Sequence, residues 1–126
     1  MEDKTKYRIG IIGAGAWGTA LANIISKKEK VLLWAKEKSV CDNINKSSEN
    51  KRYLPKIKLS KKIKCTTSIL DVAKCEILFL VSPVQYLNTN LVKLRKDIET
   101  KTIFVCCSKG IEMNSLKLPS EIVSSI

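Results

Sequence analysis

The chain has 126 residues, of which 44% are hydrophobic and 28% are charged, and its formal net charge is +11. This length suits one domain with its own core, and the composition is typical of a globular protein rather than a disordered or fibrous one. No apolar run approaches the roughly 20 residues needed to cross a bilayer, so no membrane segment is predicted. The positive charge comes mostly from scattered lysines without interleaved aromatic residues, which argues against a nucleic-acid partner.

The cysteines argue against a metal site. There are five of them, no two form a C-x-x-C pair, and the chain has no histidine. Most lie in or beside apolar segments, where a free thiol behaves as a small hydrophobic side chain in a reducing compartment. The N-terminal Met1-Glu2-Asp3-Lys4 leads into a strand without a signal-type apolar region. We therefore expect a cytoplasmic protein that holds no metal.

The first predicted element is a strand over Tyr7 to Ile12, which runs into the segment Gly13-Ala14-Gly15-Ala16-Trp17-Gly18. From Trp17 to Lys27 the apolar residues recur at helical spacing. Between a strand and a helix, this G-x-G-x-x-G pattern predicts a dinucleotide-binding turn. Gly13 would allow the tight turn, Gly15 would leave room for a pyrophosphate, and Gly18 would allow close contact between helix and sheet. The helix N-terminus would bind the anion through backbone N–H groups.

The remaining apolar segments alternate between strands and helices. They predict a second buried strand, a short helix, an alternating third strand suited to a sheet edge, a short helix capped by Ser68, a central fourth strand, a helix after Pro83 and a fifth strand. In that order the segments are Val31–Ala35, Val40 to Ile44, Ile63–Thr67, Leu70 to Ala73, Ile77–Val81, Tyr86 to Ile98 and Thr102–Cys107. The pattern predicts an α/β fold with a doubly wound parallel sheet, Rossmann-like, and a ligand at the carboxyl ends of the strands.

A longer polar connection between Ser47 and Ser60 interrupts this alternation. Long loops in compact domains are often functional, but lysine-rich connections of this kind are also common on protein surfaces. The sequence leaves both interpretations open.

The residues after the second strand bear on the choice of cofactor. An acidic residue there typically accepts a hydrogen bond from the ribose 2′-hydroxyl of NAD, whereas a basic residue suits the 2′-phosphate of NADP. Lys36 comes first and Glu37 follows. Lys36 favours NADP, yet Glu37 could turn inward to meet an unphosphorylated ribose, so the cofactor is predicted to be NADP or NAD.

Several of these segments together resemble bacterial NAD(P)-dependent glycerol-3-phosphate dehydrogenase. They are Gly13 to Ala22, Leu33-Trp34-Ala35, Glu49 to Pro55 with its Tyr53-Leu54-Pro55, Pro83 after a buried strand, and Ser108-Lys109-Gly110-Ile111-Glu112. The resemblance implies reversible reduction of dihydroxyacetone phosphate to sn-glycerol 3-phosphate, a phospholipid precursor, by hydride transfer from NAD(P)H. It also implies cofactor contacts at the positions of Ala16, Trp17, Lys36 and Lys109, and a substrate contact at Lys109.

The chain departs from the family pattern at two positions. Ala16 stands where serine or threonine is frequent, which removes a hydroxyl but leaves the backbone N–H. Ser82 stands where valine usually precedes the proline, and it is interpreted as a strand-end polar residue because no histidine is present to activate it.

The resemblance further implies a helical domain that supplies the proton-donor lysine and most of the substrate phosphate site. We expect residues 1–126 to form the NAD(P)-binding domain without that helical domain, to contain no catalytic residue, and to turn over little substrate alone. A missing C-terminal domain or a second copy of the chain would be its partner. The alternative is a non-catalytic dinucleotide-binding module or sensor, which would bind the cofactor tightly and ignore the substrate.

Overall fold

The computed structural model describes residues 7–82, 84–94, 97–98 and 101–107. Short strands alternate with helices along this part of the chain, as the apolar segments predict. The elements are β1 (Ile9–Ile12), α1 (Ala16–Ile25), β2 (Val31–Trp34), α2 (Lys38–Ser47), β3 (Ile63–Thr66), a 3₁₀ helix (Ile69–Lys74), β4 (Ile77–Leu80), α3 (Val84–Leu94) and β5 (Ile103–Cys106).

The five strands form one parallel sheet in the order β3-β2-β1-β4-β5. From β1 the chain winds outward through β2 to β3, then crosses back to β4 and continues to β5. The direction of winding therefore changes between β1 and β4, which is where ligands bind in sheets of this type. The predicted doubly wound, Rossmann-like fold is confirmed, and β3 lies at the sheet edge as its alternating sequence indicated.

Two apolar clusters cover the two faces of the sheet. In β1, Ile11 belongs to one cluster and Ile12 to the other, and both are fully buried. The Ile11 cluster includes Ala22 of α1 and Ile44 of α2, whereas the Ile12 cluster includes side chains of the 3₁₀ helix and Leu91 of α3. Because β1 and β2 are covered on both faces, their sequences are continuous apolar runs rather than alternating ones.

The short helix predicted after β3 is present, and it is a 3₁₀ helix over Ile69–Lys74. Ser68 occupies its N-cap position with extended backbone angles, but its side chain makes no capping hydrogen bond, so that detail of the prediction is wrong. The hydroxyl of Thr66 instead donates to Asp71 at 2.7 Å and accepts from the backbone N–H of Ser68 at 3.1 Å. The backbone carbonyl of Ser68, not its hydroxyl, accepts a hydrogen bond from the N–H of Asp71 in the helix at 3.1 Å.

The fourth strand occupies the interior position expected of it, between β1 and β5. Its two faces are covered unequally: Leu78 and Leu80 are fully buried, whereas Ile77 and Phe79 are half-buried. Within the described ranges, no helix is long and apolar enough to cross a membrane. Pro83 and residues 108–126 lie outside the described residues, so the predictions that concern them are not tested by the fold.

Candidate functional site

The turn between β1 and α1 is built around Gly13. Its φ is +122°, a backbone angle that side-chain-bearing residues rarely adopt. A Cβ at Gly13 would lie 2.7 Å from the backbone nitrogen of Ser82, two residues after the end of β4. The turn therefore passes against the end of β4, at the position in the sheet where the winding changes direction.

The other two glycines of the motif have opposite surroundings. A Cβ on Gly18 would collide with the carbonyl oxygen of Gly13, so Gly18 allows α1 to lie directly on the turn. A Cβ on Gly15 would meet nothing within 4 Å. Gly15 is the N-cap residue of α1, so this open space lies directly before the first turn of the helix.

The N-terminus of α1 is suited to an anion. The first N–H groups of an α-helix have no partner within the helix and carry the positive end of its dipole. The first turn of α1, all of which the structure describes, contains no acidic residue. Ala16 and Trp17 are exposed there, and 62% of Trp17 is accessible. A pyrophosphate in front of Gly15 would therefore meet backbone donors and no negative side chain.

Behind the turn, a buried polar network connects it to the 47–60 connection. Asn50 is fully buried, and its Nδ2 donates to the carbonyl oxygen of Ala14 at 3.0 Å and to the hydroxyl of Thr19 at 2.9 Å. Thr19 is also fully buried, and its hydroxyl donates to the same Ala14 oxygen at 3.3 Å. The Oδ1 of Asn50 accepts from the backbone N–H of Tyr53 at 3.2 Å. The long connection is thus attached to the glycine turn.

Sequence reasoning gave Asn50 and Thr19 no role of their own. The available signal was weak: Asn50 stands in a polar loop, and Thr19 follows the glycines in a helix. Their shared acceptor, the carbonyl oxygen of Ala14, lies 36 residues from Asn50 and 5 residues from Thr19 along the chain. A buried hydrogen bond across 36 residues depends on how the loop closes, which no local pattern reveals.

At the carboxyl end of β2, Glu37 contacts the same connection. Its Oε1 accepts a 2.6 Å hydrogen bond from the Tyr53 hydroxyl, and its Oε2 lies 2.7 Å from Nη1 of Arg52. The guanidinium of Arg52 also lies over the Tyr53 ring, 5.4 Å from its centroid. Lys36, one residue earlier, is exposed. The sequence left open whether Glu37 turns toward a ribose; here both carboxylate oxygens are bound by the loop.

The hydrogen bond to Glu37 raises the pKa of Tyr53 above its ordinary value, because the neutral phenol is the donor. Partial desolvation acts in the same direction, whereas the positive charge of Arg52 lowers this pKa. The Tyr53 phenol is therefore protonated at neutral pH and available to hold Glu37.

Ser82 lies beside Gly13, where β4 ends. It is almost fully buried, and its Oγ accepts a hydrogen bond from Asn90 Nδ2 at 3.3 Å. Asn90 is buried too. This pairing agrees with the interpretation of Ser82 as a strand-end polar residue.

The cysteines of the described region are free thiols, and no group of three or more possible metal ligands occurs among the described residues. Cys41, Cys65 and Cys75 are buried. Burial raises the pKa of the Cys65 thiol far above its ordinary value, and the neighbouring Cys41 adds to the effect.

The structure brings the predicted cofactor residues to one edge of the sheet. Gly13, Gly15, Ala16, Trp17 and Gly18 form the turn and the start of α1, and Lys36 follows β2 at the same edge. Lys109, predicted to contact both cofactor and substrate, lies outside the described residues.

Curated relatives align with most of the length of this chain. The glycerol-3-phosphate dehydrogenase (NAD(P)+) of Maricaulis maris is 40% identical over 116 residues, which cover 91% of this chain and 35% of that protein. The enzyme of the same name from Maridesulfovibrio salexigens is 38% identical over 118 residues, covering 92% of this chain and 36% of the relative. The chain thus spans about a third of the length of the curated relatives it matches.

Solved structures show the same fold. Glycerol-3-phosphate dehydrogenase from Coxiella burnetii superposes with a TM-score of 0.85 at 30% identity, over 95% of this chain and 37% of that one. DsGPDH of Dunaliella salina gives a TM-score of 0.87 at 21% identity, over 96% of this chain and 25% of that one. The family model described as NAD-dependent glycerol-3-phosphate dehydrogenase N-terminus matches residues 8–126. The chain therefore belongs to the family of NAD-dependent glycerol-3-phosphate dehydrogenase N-terminal domains.

Proposed function

We propose that this chain binds a nicotinamide dinucleotide through the turn between β1 and α1, and that it is the cofactor-binding part of an enzyme interconverting dihydroxyacetone phosphate and sn-glycerol 3-phosphate. The observation that carries the proposal is the open space in front of Gly15, bounded by the first turn of α1. Backbone donors at a helix N-terminus, with no side chain filling the cradle, suit a pyrophosphate. The enzyme name of the relatives points to the substrate pair.

Each predicted cofactor residue has a task in this proposal. Gly13 and Gly18 let α1 approach the end of β1, and Gly15 leaves the pyrophosphate its place. Ala16 and Trp17 offer backbone N–H groups in the first helical turn, while the exposed indole of Trp17 lies next to the bound molecule. Lys36 is placed to meet the adenosine ribose or its 2′-phosphate, since it follows β2.

The bound nicotinamide supplies the hydride, and this chain positions it at the carboxyl edge of the sheet. Lys109 is proposed to contact both the cofactor and the phosphorylated substrate, because it comes three residues after the end of β5 in the sequence. An ammonium group there would bind a polar substrate group or stabilise developing oxyanion charge.

The proposal includes a division of labour. Residues 1–126 form the NAD(P)-binding domain, and a helical domain carries the proton-donor lysine and most of the substrate phosphate site. The 126-residue chain alone then binds the cofactor but reduces dihydroxyacetone phosphate little or not at all. We propose that it works in the cytoplasm and takes part in phospholipid precursor synthesis, with no nucleic-acid partner.

Calorimetric titration of the 126-residue chain with NADPH and with NADH tests cofactor binding directly. The decisive variant is Gly15→Thr. Threonine is about as good an N-cap residue as glycine, and its Cβ meets nothing in the protein. We expect Gly15→Thr to keep the unfolding temperature but to weaken dinucleotide binding by about tenfold or more, as one displaced set of phosphate contacts implies.

Two outcomes would contradict the proposal: no heat of binding from either dinucleotide, or unchanged affinity in Gly15→Thr. Titration with dihydroxyacetone phosphate separates the enzyme from a cofactor sensor. The enzyme domain contributes only the Lys109 part of the substrate site, so it should bind dihydroxyacetone phosphate weakly and only when NADPH is already present. A sensor would bind the cofactor and show no response to dihydroxyacetone phosphate.

A further inference from the structure

The contacts of Glu37 bear on which dinucleotide the site prefers, a question that deepens the proposed function and rests on it. Glu37 is the N-cap residue of α2, in the stretch after β2 where an acidic residue ordinarily accepts the ribose 2′-hydroxyl of NAD. Such a carboxylate also repels the 2′-phosphate of NADP. What matters is therefore where the Glu37 carboxylate is held.

Two neighbouring side chains of the 47–60 connection hold it, one on each oxygen. Tyr53 donates to Oε1 at 2.6 Å, and Nη1 of Arg52 contacts Oε2 at 2.7 Å. Because the contacts use different oxygens, they define the orientation of the carboxylate plane and not only its position. Arg52 also lies over the Tyr53 ring, so the three side chains contact one another in a closed cluster.

The backbone beneath this cluster is itself anchored. The N–H of Leu54 donates to the carbonyl of Asn50 at 2.8 Å, and the N–H of Tyr53 donates to the Asn50 side chain at 3.2 Å. Asn50 in turn binds the carbonyl of Ala14 in the glycine turn. Arg52 and Tyr53 are thus carried by a segment attached to the predicted pyrophosphate site. Because the backbone that carries them is already fixed, the contacts of these two side chains with Glu37 cost less conformational entropy than a contact between two unconstrained surface side chains.

The cluster also changes the charge that a ligand meets. Arg52 matches the negative charge of Glu37, so this carboxylate repels a 2′-phosphate less at the end of β2. A ribose 2′-hydroxyl gains little there, because both oxygens of the carboxylate already have partners. A carboxylate released from Arg52 would do the opposite, because it would accept from the hydroxyl and repel the phosphate.

We propose that Arg52 and Tyr53 are positioning residues for cofactor specificity: by binding both oxygens of Glu37 they withhold this carboxylate from the ribose and favour NADP over NAD. Arg52 acts through Glu37 in this proposal and does not itself contact the cofactor. The preference therefore depends on loop residues outside the strand-end position that ordinarily decides it.

The experiment measures the ratio of the dissociation constants for NADH and NADPH in the 126-residue chain and its variants. The wild type should prefer NADPH. Arg52→Gln releases Oε2 of Glu37 and leaves its negative charge unmatched, and we expect the ratio to fall by roughly three- to tenfold, the range for one charged contact at a half-exposed site. For Glu37→Gln, the ratio of the two dissociation constants should not fall below that of the wild type. The double variant Arg52→Gln, Glu37→Gln should return to near the wild-type ratio, since no carboxylate is left to release.

Lys51→Gln is the matched control. Lys51 is the exposed neighbour of Arg52, and its backbone N–H, not its side chain, makes the contact to Asn43. The variant removes the same charge from the same loop and should leave the ratio unchanged. Tyr53→Phe removes the other contact and should lower the ratio by about two- to threefold. Tyr53→Phe also tests the proposal independently if Arg52→Gln does not fold.

Three results would overturn the inference. A double variant that stays as low as Arg52→Gln would mean that Arg52 contacts the phosphate itself. A Lys51→Gln effect equal to that of Arg52→Gln would mean that only overall charge matters. A wild-type chain that binds both dinucleotides equally, with all variants alike, would remove the specificity role while leaving the proposed function intact. Failure of the wild type to bind either dinucleotide would instead overturn the proposed function, and this inference with it.

Discussion

The side-chain amide of Asn50 donates a 3.0 Å hydrogen bond to the carbonyl oxygen of Ala14, between the two glycines that begin the predicted cofactor turn. The bond joins the 47–60 connection to the turn across 36 residues of sequence, and Asn50 itself is fully buried. The irregular loop and the predicted cofactor turn are thereby made parts of one structure.

Replacement of Asn50 by alanine should be strongly destabilising. The variant leaves a buried carbonyl and a buried hydroxyl short of a donor, and it removes the acceptor for the Tyr53 N–H, at a cost of about 2–3 kcal/mol in the free energy of unfolding. Urea denaturation followed by circular dichroism measures this directly.

Asn43→Ala is the control for that variant. Asn43 anchors the same loop by accepting from the N–H of Lys51, but this bond is exposed, so water replaces it at a cost below about 1 kcal/mol. Equal losses of stability in the two variants would contradict the role assigned to Asn50.

The motif glycines should respond differently to a single methyl group. Gly18→Ala places its Cβ against the Gly13 carbonyl oxygen, a backbone atom, so α1 must move, and we expect destabilisation by about 1–3 kcal/mol. Gly15→Ala places its Cβ in open space and should change the free energy of unfolding by no more than about 1 kcal/mol, the usual cost of alanine at an N-cap. Thermal unfolding of both variants measures the difference, and a reversed order would show that α1 does not pack on the turn as described.

The phenol of Tyr53 should ionise at higher pH than an ordinary tyrosine. Its pKa is raised in the folded chain, so the contact with Glu37 contributes fully to stability below about pH 10 and is lost as the pH rises through the raised pKa. Absorbance at 295 nm during alkaline titration measures tyrosinate formation. The difference between the wild type and Tyr53→Phe isolates this residue.

In the same titration, Glu37→Gln should move the Tyr53 ionisation back toward its ordinary pH, because the acceptor of the phenol proton is no longer charged. Ionisation of Tyr53 at or below the ordinary value in the wild type would contradict the hydrogen bond.

The five cysteines should divide into two groups by their reaction with a water-soluble thiol reagent. Cys106 and Cys107, which are exposed and half-buried, should react in the folded chain. Cys41, Cys65 and Cys75 are buried and should react only on unfolding, with Cys65 further protected by its raised pKa. Counting thiols before and after addition of guanidinium checks the division. Rapid reaction of more than two thiols in the native chain would contradict the described core.

Much of the architecture follows from local pattern. The apolar run of β2 predicts a buried strand and the alternation in β3 predicts a sheet edge, both of which the structure confirms. The short helix predicted after β3 is present too, but its 3₁₀ type did not follow from local pattern. α-Helices and 3₁₀ helices place apolar residues at similar spacings over six residues, so their sequences differ little.

By itself, the amino-acid sequence determined the order of strands and helices, the position of the glycine turn and the family, because each depends on residues close together in the chain. Tertiary structure alone decided where the polar side chains around that turn find their partners. Asn50 reaches Ala14, and Glu37 is taken by Tyr53 rather than left to face a ligand. Such pairings arise when a loop closes against a distant element, and the geometry of that closure comes from the packing of the whole sheet rather than from any local run of residues.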